Sequence, residues 1–513
     1  MSDLSRPART SMTMTALALA LALGLGAAPP AGAQTLRIAL QDDPDLLDPA
    51  PGKSFVGRIV FNSLCDKLID VSPDLKFVPR LATAWTWSED GKALTFTLRE
   101  GAKFHDGEPI DAEAVKYNIE RSKTLPESIR KSELSGVETV DAVDAKTVRF
   151  NLKAPDVSLI ATLSDRAGMM ISPKAAKAAG ADFGLKPVCS GPYKFAERVQ
   201  QDRIVLERNP DHWNAKNFFF DKIIYRNVRD ATVRLANLRA GDFDIIERLE
   251  PTDVKDANAD KNVKVESAVS LGYQGITFNL ANGAGADNPF AKDKRLRQAM
   301  SLAIDRKALN EVVFEGQFTP GVQPVPPVSP YYSKLFPVPA PDIAKARALV
   351  KAAGYDRVKA EMKFANNPRT QRLVEVIQAM VGEAGIDLAL AATEFATQMA
   401  DQTKGTFQTV QIGWSGRPDP DGNIHSFMTC KGGLNDGKYC SAEVDRLLNE
   451  ARATPDFAKR LAAYEAAEKI YLDDLPIIYL YYETWIWAMN KKVQGFVPSP
   501  DGMIRLDGVK LVN

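Results

Sequence analysis

The sequence PRLATAWTWSEDGKALTFTLREGAKFHDGEPIDAEAVKYNIE, from Pro79 to Glu120, indicates the fold of this chain better than any other stretch. Asp90-Gly91 is typical of a turn, and apolar residues alternate with polar ones from Leu94 to Leu98. Alternation with a period of two is the pattern of a half-buried strand. Asp111 is a suitable N-cap for a helix that follows directly. The stretch therefore predicts a compact α/β unit and contains no chemistry by itself.

The order of residues in this stretch resembles the family 5 solute-binding proteins of ABC importers, the dipeptide, oligopeptide, nickel and opine group. That family carries a P.LA..W..S.DG…F.LR.GVKFHDG.P…A.DV run near its N-terminus, and the chain matches it in register. Six further segments match family motifs in the same order, so the resemblance covers nearly the whole chain after residue 34. They are Cys189–Phe195, Arg239–Ile245, Arg295–Arg306, Ala344–Tyr355, Tyr439–Asp445 and Asp474–Ile478.

The resemblance implies an α/β fold of the two-lobed periplasmic-binding-protein type (type II, large cluster), with an extra subdomain in lobe I. Two strands would cross between the lobes, and Ile276–Leu280 and Tyr479–Trp487 fit these crossings. Hinge closure would bury a ligand between the lobes. The implied division is a signal peptide at 1–33, lobe I at 34–78, 190–277 and 481–513, the extra subdomain at 79–189, and lobe II at 278–480.

The composition is that of an ordinary soluble protein. The chain has 513 residues, of which 45% are hydrophobic and 25% charged, and its formal net charge is zero. A nucleic-acid-binding protein usually has a basic patch or a high pI. Zero net charge also argues against adhesion to anionic membranes. We therefore expect neither nucleic acid nor a lipid surface as a partner.

The N-terminus has the features of a secretory signal. Arg6 and Arg9 precede an apolar segment, Ala16–Ala28, that is too short to span a bilayer. Ala31-Gly32-Ala33 has the small-x-small form of a signal peptidase site, which predicts a mature start at Gln34. An uncleaved anchor is the alternative interpretation. We expect export to the periplasm through a cleavable signal peptide, without lipid attachment.

Four cysteines, an even number in an exported chain, indicate disulfides. Three connectivities are possible for Cys65, Cys189, Cys430 and Cys440. Cys430–Cys440 would close a short loop and is the natural local pair, which leaves Cys65–Cys189. A metal site is the rival interpretation, but no CxxC pair is present. Buried free thiols are the remaining alternative.

The search for catalytic chemistry finds no constellation. His105, His212 and His425 have no metal-ligand spacing. Gly432–Lys438 is similar to a P-loop, but Tyr439 follows where Ser or Thr should ligate Mg²⁺. No carboxylate pair can be singled out as general acid and base. The sequence thus predicts a binding protein with no cofactor, and a secreted hydrolase is the weakest alternative.

The segment Ile412–Phe427 (IGWSGRPDPDGNIHSF) is the main candidate for ligand capture. Its predicted ligand-binding residues are Trp414, Ser415, Gly416, Arg417, Asp419 and Asp421. Trp offers a flat apolar wall and Arg a forked, permanently charged donor. The alternative is a loop with a core Trp and a solvated Arg. The resemblance favours ligand capture, since the equivalent loop lines the cleft in family 5.

The chain departs from the dipeptide-binding branch at both ligand anchors. An Asp follows the GWTG loop in that branch, where this chain has Arg417, and Phe364 stands where a carboxylate-binding Arg is expected. Asn366 is the polar candidate in that second stretch. Recognition of a free dipeptide by its two end charges is therefore in doubt. Arg417 favours an acidic or carboxylate-bearing group instead.

The remaining candidates come from other parts of the chain: Ser54, Phe55, Arg166, Met169 and Tyr273. For Met169 core packing is at least an equal alternative, and Trp485 is expected in a strand core. The sequence predicts a receptor for a short or modified peptide, with an acidic one as an option. An opine, a nickel chelate and an oligosaccharide are the alternative ligands. The resemblance implies ABC permease subunits as partners and a monomeric receptor.

Overall fold

A computed structural model describes residues 34–512. The predicted signal peptide at 1–33 lies outside the described residues. Residues 34 onward form one compact unit, built from two large mixed sheets and a smaller antiparallel one. We call the layers around the two large sheets the first lobe and the second lobe.

The first lobe is built on a seven-stranded sheet. Its central strand, Thr35–Leu40, pairs in parallel with Lys222–Asn227 and with Ile245–Ile246. Ile38 and Ala39 point to opposite faces and are both fully buried, as expected for a strand covered on both faces. The spatial order of strands is Val263–Val269, Thr484–Asn490, Ile245–Ile246, Thr35–Leu40, Lys222–Asn227, Arg203–Arg208 and Tyr193–Val199.

The second lobe is built on a six-stranded sheet. Tyr273–Phe278 lies antiparallel between Ile477–Tyr482 and Thr409–Trp414. The spatial order of strands is Thr319–Pro320, Ile477–Tyr482, Tyr273–Phe278, Thr409–Trp414, Val358–Ala365 and Ile386–Thr393. The candidate ligand loop therefore starts at the end of a central strand.

The stretch from Pro79 to Glu120 belongs to the small antiparallel sheet. The strand order there is Ala82–Trp87, Ala93–Leu98, Thr147–Leu152 and Val137–Ala142. The predicted helix is confirmed as Ala112–Thr124, and Asp111 caps it by accepting a hydrogen bond of 2.9 Å from the Ala114 amide. Two short ladders pair Ile69–Val71 with Phe77–Pro79 and Val493–Gln494 with Lys510–Leu511.

The α-helices cover the faces of these sheets. In the first lobe and the small sheet unit they are Phe55–Leu64, Ala112–Thr124, Leu159–Leu163, Pro173–Ala179, Ala231–Ala240 and Val254–Ala259. The others are Pro289–Lys292, Lys294–Ala303, Arg306–Phe314, Ile343–Ala352, Pro368–Glu383, Phe395–Lys404, Asp421–Met428, Ala442–Ala453 and Phe457–Asp474. No helix in the described range is long and apolar enough to cross a membrane.

The chain passes between the large sheets at two points. Val263–Val269 belongs to the first lobe and Tyr273–Phe278 to the second, so one crossing lies at residues 270–272. The other lies at Glu483, between Ile477–Tyr482 and Thr484–Asn490. The sequence placed the first crossing later, at Ile276–Leu280. That strand instead pairs along its length within the second lobe.

Both predicted disulfides are confirmed. Cys65 bonds to Cys189 and Cys430 bonds to Cys440. The first ties the end of the helix Phe55–Leu64 to the turn before the strand Tyr193–Val199. The second closes the loop at the end of the helix Asp421–Met428. Neither the metal-site nor the free-thiol interpretation of the cysteines applies.

Candidate ligand-binding cavity between the lobes

A cavity of about 140 Å³ lies between the two lobes and is lined by both. Its first-lobe wall comes from the loop after Thr35–Leu40 and the start of the helix Phe55–Leu64. Its second-lobe wall comes from the strands Tyr273–Phe278 and Thr409–Trp414 and the helix Phe395–Lys404. Residues near both crossings, Tyr273 and Trp485, complete it. A ligand held here would contact each part that a hinge motion displaces.

Stacked aromatic rings form one side of the cavity. The rings of Phe55 and Trp485 are 4.6 Å apart and parallel to within 4°. The Arg248 guanidinium carbon lies 5.4 Å from the Phe55 ring and 5.0 Å from the Trp485 ring, within cation–π range. Arg248 also ion-pairs with Glu483 at the second crossing, at 3.2 Å. This side of the cavity is therefore fixed to the hinge.

Amide side chains form much of the opposite side. Gln274, Gln398, Gln402, Gln411 and Asn367 all line the cavity. Gln411 Nε2 donates to Gln274 Oε1 at 3.1 Å, and Gln398 Nε2 donates to the Gln411 carbonyl at 3.0 Å. Gln398 Oε1 is buried without a hydrogen-bond partner among the described residues. The wall offers neutral donors and acceptors, which suit a peptide backbone or a hydroxylated ligand.

Four charged residues line the cavity, and three of them are paired. Lys53 Nζ lies 3.0 Å from Asp436 Oδ1 and joins the two lobes, and Arg248 is held by Glu483. Asp42 forms no ion pair within the described part of the chain; Gln41 Nε2, at 3.4 Å, is its one side-chain donor. Burial raises the pKa of Asp42 to about 6, although Arg248 opposes this.

Five of the predicted site residues line this cavity together: Ser54, Phe55, Tyr273, Trp414 and Ser415. Ser54 also caps the helix Phe55–Leu64, because its Oγ accepts from the Gly57 amide. Trp414 is fixed by a 3.0 Å hydrogen bond from its Nε1 to Asn423 Oδ1. Tyr273 packs edge-on against Tyr479, with ring centroids 4.7 Å apart. These side chains are thus held in place before any ligand arrives.

Gly416 has a backbone role. Its φ is +83°, and an added Cβ would lie 2.1 Å from the carbonyl carbon of Leu271. Only glycine accepts this conformation and this approach without strain. Gly416 therefore lets the loop pass against the first crossing, and it lies outside the cavity lining.

Arg417 lies beyond Trp414, in a second cavity of about 30 Å³. Its Nε is 3.0 Å from Asp165 Oδ2, and its guanidinium carbon lies 4.2 Å from the Trp414 ring centroid. Arg58 bonds to the same Asp165 oxygen at 2.5 Å and to Ser415 Oγ at 3.0 Å. Burial and the nearby Arg58 lower the pKa of Arg417 to about 9. Arg417 therefore forms an ion pair that links the second lobe to Asp165. Asp165 follows the helix Leu159–Leu163 of the small antiparallel sheet unit.

Asp165 is surrounded by arginines. Burial alone would raise its pKa, but Arg417, Arg58 and Arg166 hold it well below the usual range. Arg166 is 1% exposed and donates from Nη1 to the Gly52 carbonyl at 2.8 Å. Its Nε and Nη2 have no hydrogen-bond partner among the described residues. Arg166 lies outside the lining of both cavities.

Asp419 and Asp421 also line the second cavity, each paired with an arginine. Arg460 binds both oxygens of Asp419, at 2.7 and 2.8 Å. Arg452 binds both oxygens of Asp421, at 2.6 and 3.0 Å. These bidentate pairs fix the loop onto the helices Ala442–Ala453 and Phe457–Asp474.

Two further predicted residues lie outside the cavity lining. Met169 is 6% exposed and packs in the first-lobe core, which agrees with the packing alternative. Asn366 is exposed, and its neighbour Asn367 lines the cavity and caps the helix Pro368–Glu383. At the start of this helix the side chain of Asn367, rather than that of Asn366, points toward the cavity.

Several lining residues were not singled out from the sequence: Gln41, Asp42, Lys53, Arg248, Phe395, Gln398, Gln402, Gln411 and Trp485. Gln398 and Gln402 are four residues apart, and such a polar pair on the buried face of a helix is a signal that could have been used. Trp485 was expected in a strand core. It is 3% exposed, yet its ring forms part of the cavity wall.

The family model for bacterial extracellular solute-binding proteins, family 5 (Middle), matches residues 76–435, more than half of the chain. The chain belongs to this family. Its resemblance to family 5, predicted from the sequence motifs, is thereby confirmed.

The relatives of this family 5 protein are binding proteins. The glutathione-binding protein GsiB of Pectobacterium atrosepticum is 29% identical over 498 residues, covering 94% of this chain and 96% of the relative. The solved structure of the PBP AgaA from A. tumefacien R10 in complex with agropinic acid is 26% identical, with a TM-score of 0.84 and coverage of 93% and 99%. The two-lobed α/β fold and the assignment to solute-binding proteins of ABC importers are confirmed.

A third comparison shows the fold alone. The dipeptide binding protein from Pseudoalteromonas sp. SM9913, solved in complex with Met-Leu, is 23% identical and has a TM-score of 0.86, with coverage of 93% and 100%. Within residues 34–512, no group of three or more His, Cys, Asp or Glu side chains is arranged to hold a metal ion.

Proposed function

We propose that this family 5 protein is the periplasmic receptor for a short or modified peptide, which it delivers to the permease of an ABC importer. The observation that carries the proposal is the cavity between the lobes, which has an amide wall on the second-lobe side and stacked aromatic rings on the first-lobe side. Amide groups match peptide N–H and C=O groups, and aromatic rings accept an apolar side chain. A volume of about 140 Å³ is below the roughly 300–1,000 Å³ of drug-sized sites, which supports a short ligand.

The relatives support the same ligand class. GsiB is a glutathione-binding protein by name, and glutathione is a short modified peptide. The solved structure with agropinic acid supports an opine as the second candidate, because that protein is 26% identical. The proposal includes the predicted export to the periplasm, the division into lobe I, extra subdomain and lobe II, and a monomeric receptor without enzymatic activity.

Arg417 can select acidic ligands only if its guanidinium group becomes available to them. Its Nε already lies 3.0 Å from Asp165, so an acidic ligand group would have to compete with that carboxylate. An acidic preference therefore requires Arg417 to exchange partners on binding. A loss of affinity for acidic peptides alone in Arg417→Ala would show that exchange, and an equal loss for all peptides would contradict it.

A thermal-shift screen tests the peptide assignment. The protein is heated with di- and tripeptides, glutathione, opines, oligosaccharides and nickel chelates, each in separate samples. A ligand at a hundred times its Kd adds about 2.7 kcal/mol to the free energy of unfolding, which raises Tm measurably. A shift with peptides supports the proposal. Shifts confined to opines, sugars or chelates keep the receptor and contradict the peptide assignment.

A further inference from the structure

Asp42 differs from the other acidic residues of its segment. Asp43 ion-pairs with Arg198 at 3.0 Å. Asp45 accepts hydrogen bonds from the amides of Lys53 and Ser54, and Asp48 is bound by both terminal nitrogens of Arg121. Three of the four aspartates between residues 42 and 48 therefore have structural partners. Asp42 has one long contact, to Gln41, and lines the cavity.

The cations near Asp42 are committed elsewhere. Arg248 and Arg234 favour its ionised form and Glu247 opposes it. Arg248 pairs with Glu483 and lies over the aromatic rings. Arg234 gives its hydrogen bonds to backbone carbonyl groups, including that of Glu247. No protein cation near the cavity is thus left to pair with Asp42 among the described residues.

Asp42 is half-buried, and partial burial of a carboxylate without a charged partner is costly, because part of its hydration is removed and nothing replaces it. Binding sites retain such a group when the ligand supplies the missing charge. Arg417 stands where the dipeptide-binding branch has an Asp, and it lines the second cavity. Of the two carboxylates that line the larger cavity, Asp436 is paired with Lys53, which leaves Asp42 as the acceptor for a ligand amine.

We propose that the Asp42 carboxylate binds the primary ammonium group of the ligand. This inference rests on the proposed peptide-receptor function and makes it more specific. A free α-amino terminus or a γ-glutamyl α-amino group supplies the same ammonium chemistry. The charge-assisted hydrogen bond would orient the ligand with its amine toward the first-lobe wall, and its backbone would face the amide wall.

The first test compares one peptide set in two chemical forms and needs no variant. The purified protein is heated with di- and tripeptides and glutathione, and then with the same compounds N-acetylated. Acetylation removes the charge and keeps the rest of the ligand. We expect the free-amine set to raise Tm and the acetylated set to leave it unchanged.

The second test uses Asp42→Asn, with Asp182→Asn as the matched control because Asp182 is exposed and does not line the cavity. Calorimetry with the strongest free-amine peptide should show an affinity loss of at least about 30-fold for Asp42→Asn. The control should keep the wild-type affinity. In the wild type the affinity should fall about tenfold per pH unit below pH 6, as Asp42 becomes protonated. The variant should lack this dependence.

The outcomes separate the two proposals. Equal shifts with free and acetylated peptides, or wild-type affinity in Asp42→Asn, overturn the role of Asp42 and leave the peptide receptor standing. No shift with either set overturns the peptide assignment and, with it, this inference. A Tm for ligand-free Asp42→Asn at or above that of the wild type shows that the variant is folded.

Discussion

The cavity that contains Asp42 and the smaller cavity that contains Arg417 share the ring of Trp414, but their charges are satisfied differently. Around Arg417 every carboxylate has an arginine: Asp165, Asp419 and Asp421 are all paired. In the larger cavity Asp42 has no such partner. The comparison shows that many charged residues beside a cleft do not by themselves indicate where a ligand binds. Charges that pair with one another hold the lobes and loops in place, and the unpaired one is available to a ligand.

Asp165→Asn gives the strongest test of whether the paired charges around Arg417 are structural. It removes the carboxylate shared by Arg58 and Arg417 and leaves buried cations without a partner. We expect the free energy of unfolding to fall by about 3–5 kcal/mol, measured by urea denaturation at pH 7.5. A loss below about 1 kcal/mol would show that the arginines are solvated and that the paired cluster is not structural.

A buried carboxylate outside both cavities provides a second comparison. Glu468 is 1% exposed and its Oε2 lacks a partner among the described residues. Burial raises its pKa to about 8, whereas an unfolded Glu titrates near about 4.3. The folded state therefore binds more protons between these values, and stability should fall as pH rises.

Urea denaturation between pH 5 and 8 should show a decrease of roughly 3 kcal/mol that Glu468→Gln lacks. Glu127→Gln, at an exposed position far along the chain from this helix, is the control. Parallel pH profiles for the wild type and Glu468→Gln would contradict the raised pKa.

Asp42→Asn tests, without ligand, whether Asp42 lacks a partner inside the folded protein. The native pKa of about 6 exceeds the value of about 3.9 for an unfolded Asp, so the ionised carboxylate destabilises the fold above pH 6. The variant should gain roughly 1–3 kcal/mol at pH 7.5 and little at pH 4. Urea denaturation at the two pH values measures this. Destabilisation at pH 7.5 would mean that Asp42 has a structural partner after all.

The smallest expected effect concerns Arg417→Ala. Since Arg417 joins the second lobe to the small sheet unit through Asp165, its loss should loosen this contact beside the cavity and lower the affinity for every bound peptide by about tenfold, whatever the peptide's charge. Arg446→Ala, a surface arginine 57% exposed, is the control. Calorimetry that finds a loss for acidic peptides alone would instead support Arg417 as a ligand anchor.

The local patterns predicted individual strands and helices, because these depend on neighbours along the chain, and the family resemblance implied the two-lobed fold. Alternation from Leu94 to Leu98 and the Asp111 cap follow from strand and helix periodicity. The sequence placed the first crossing between the lobes too late, because this position depends on contacts with distant residues. Whether Tyr273–Phe278 belongs to one sheet or the other depends on its partners, Ile477–Tyr482 and Thr409–Trp414, which are distant in sequence.

The lining of the candidate cavity could be anticipated in part, and its role in ligand binding stays a prediction. The aromatic and loop residues Phe55, Tyr273 and Trp414 line the cavity, because a ring beside a turn is conspicuous in any sequence. Asn366 was one residue away from the lining residue Asn367. Asn367 directly precedes Pro368, which is the signature of an N-cap, and the start of the helix Pro368–Glu383 decides that this amide turns inward.

The sequence by itself determined the family and, through that resemblance, the two-lobed fold class; it indicated disulfides but left their connectivity open, and the structure supplied it. Motif order, residue periodicity and cysteine spacing are properties of the linear chain. Only the tertiary structure decided which charges remain available. In the segment from Asp42 to Asp48, the partners Arg198 and Arg121 come from 155 and 73 residues away. Whether a carboxylate is neutralised inside the protein depends on such long-range contacts, and four aspartates that look alike in sequence thereby acquire different roles.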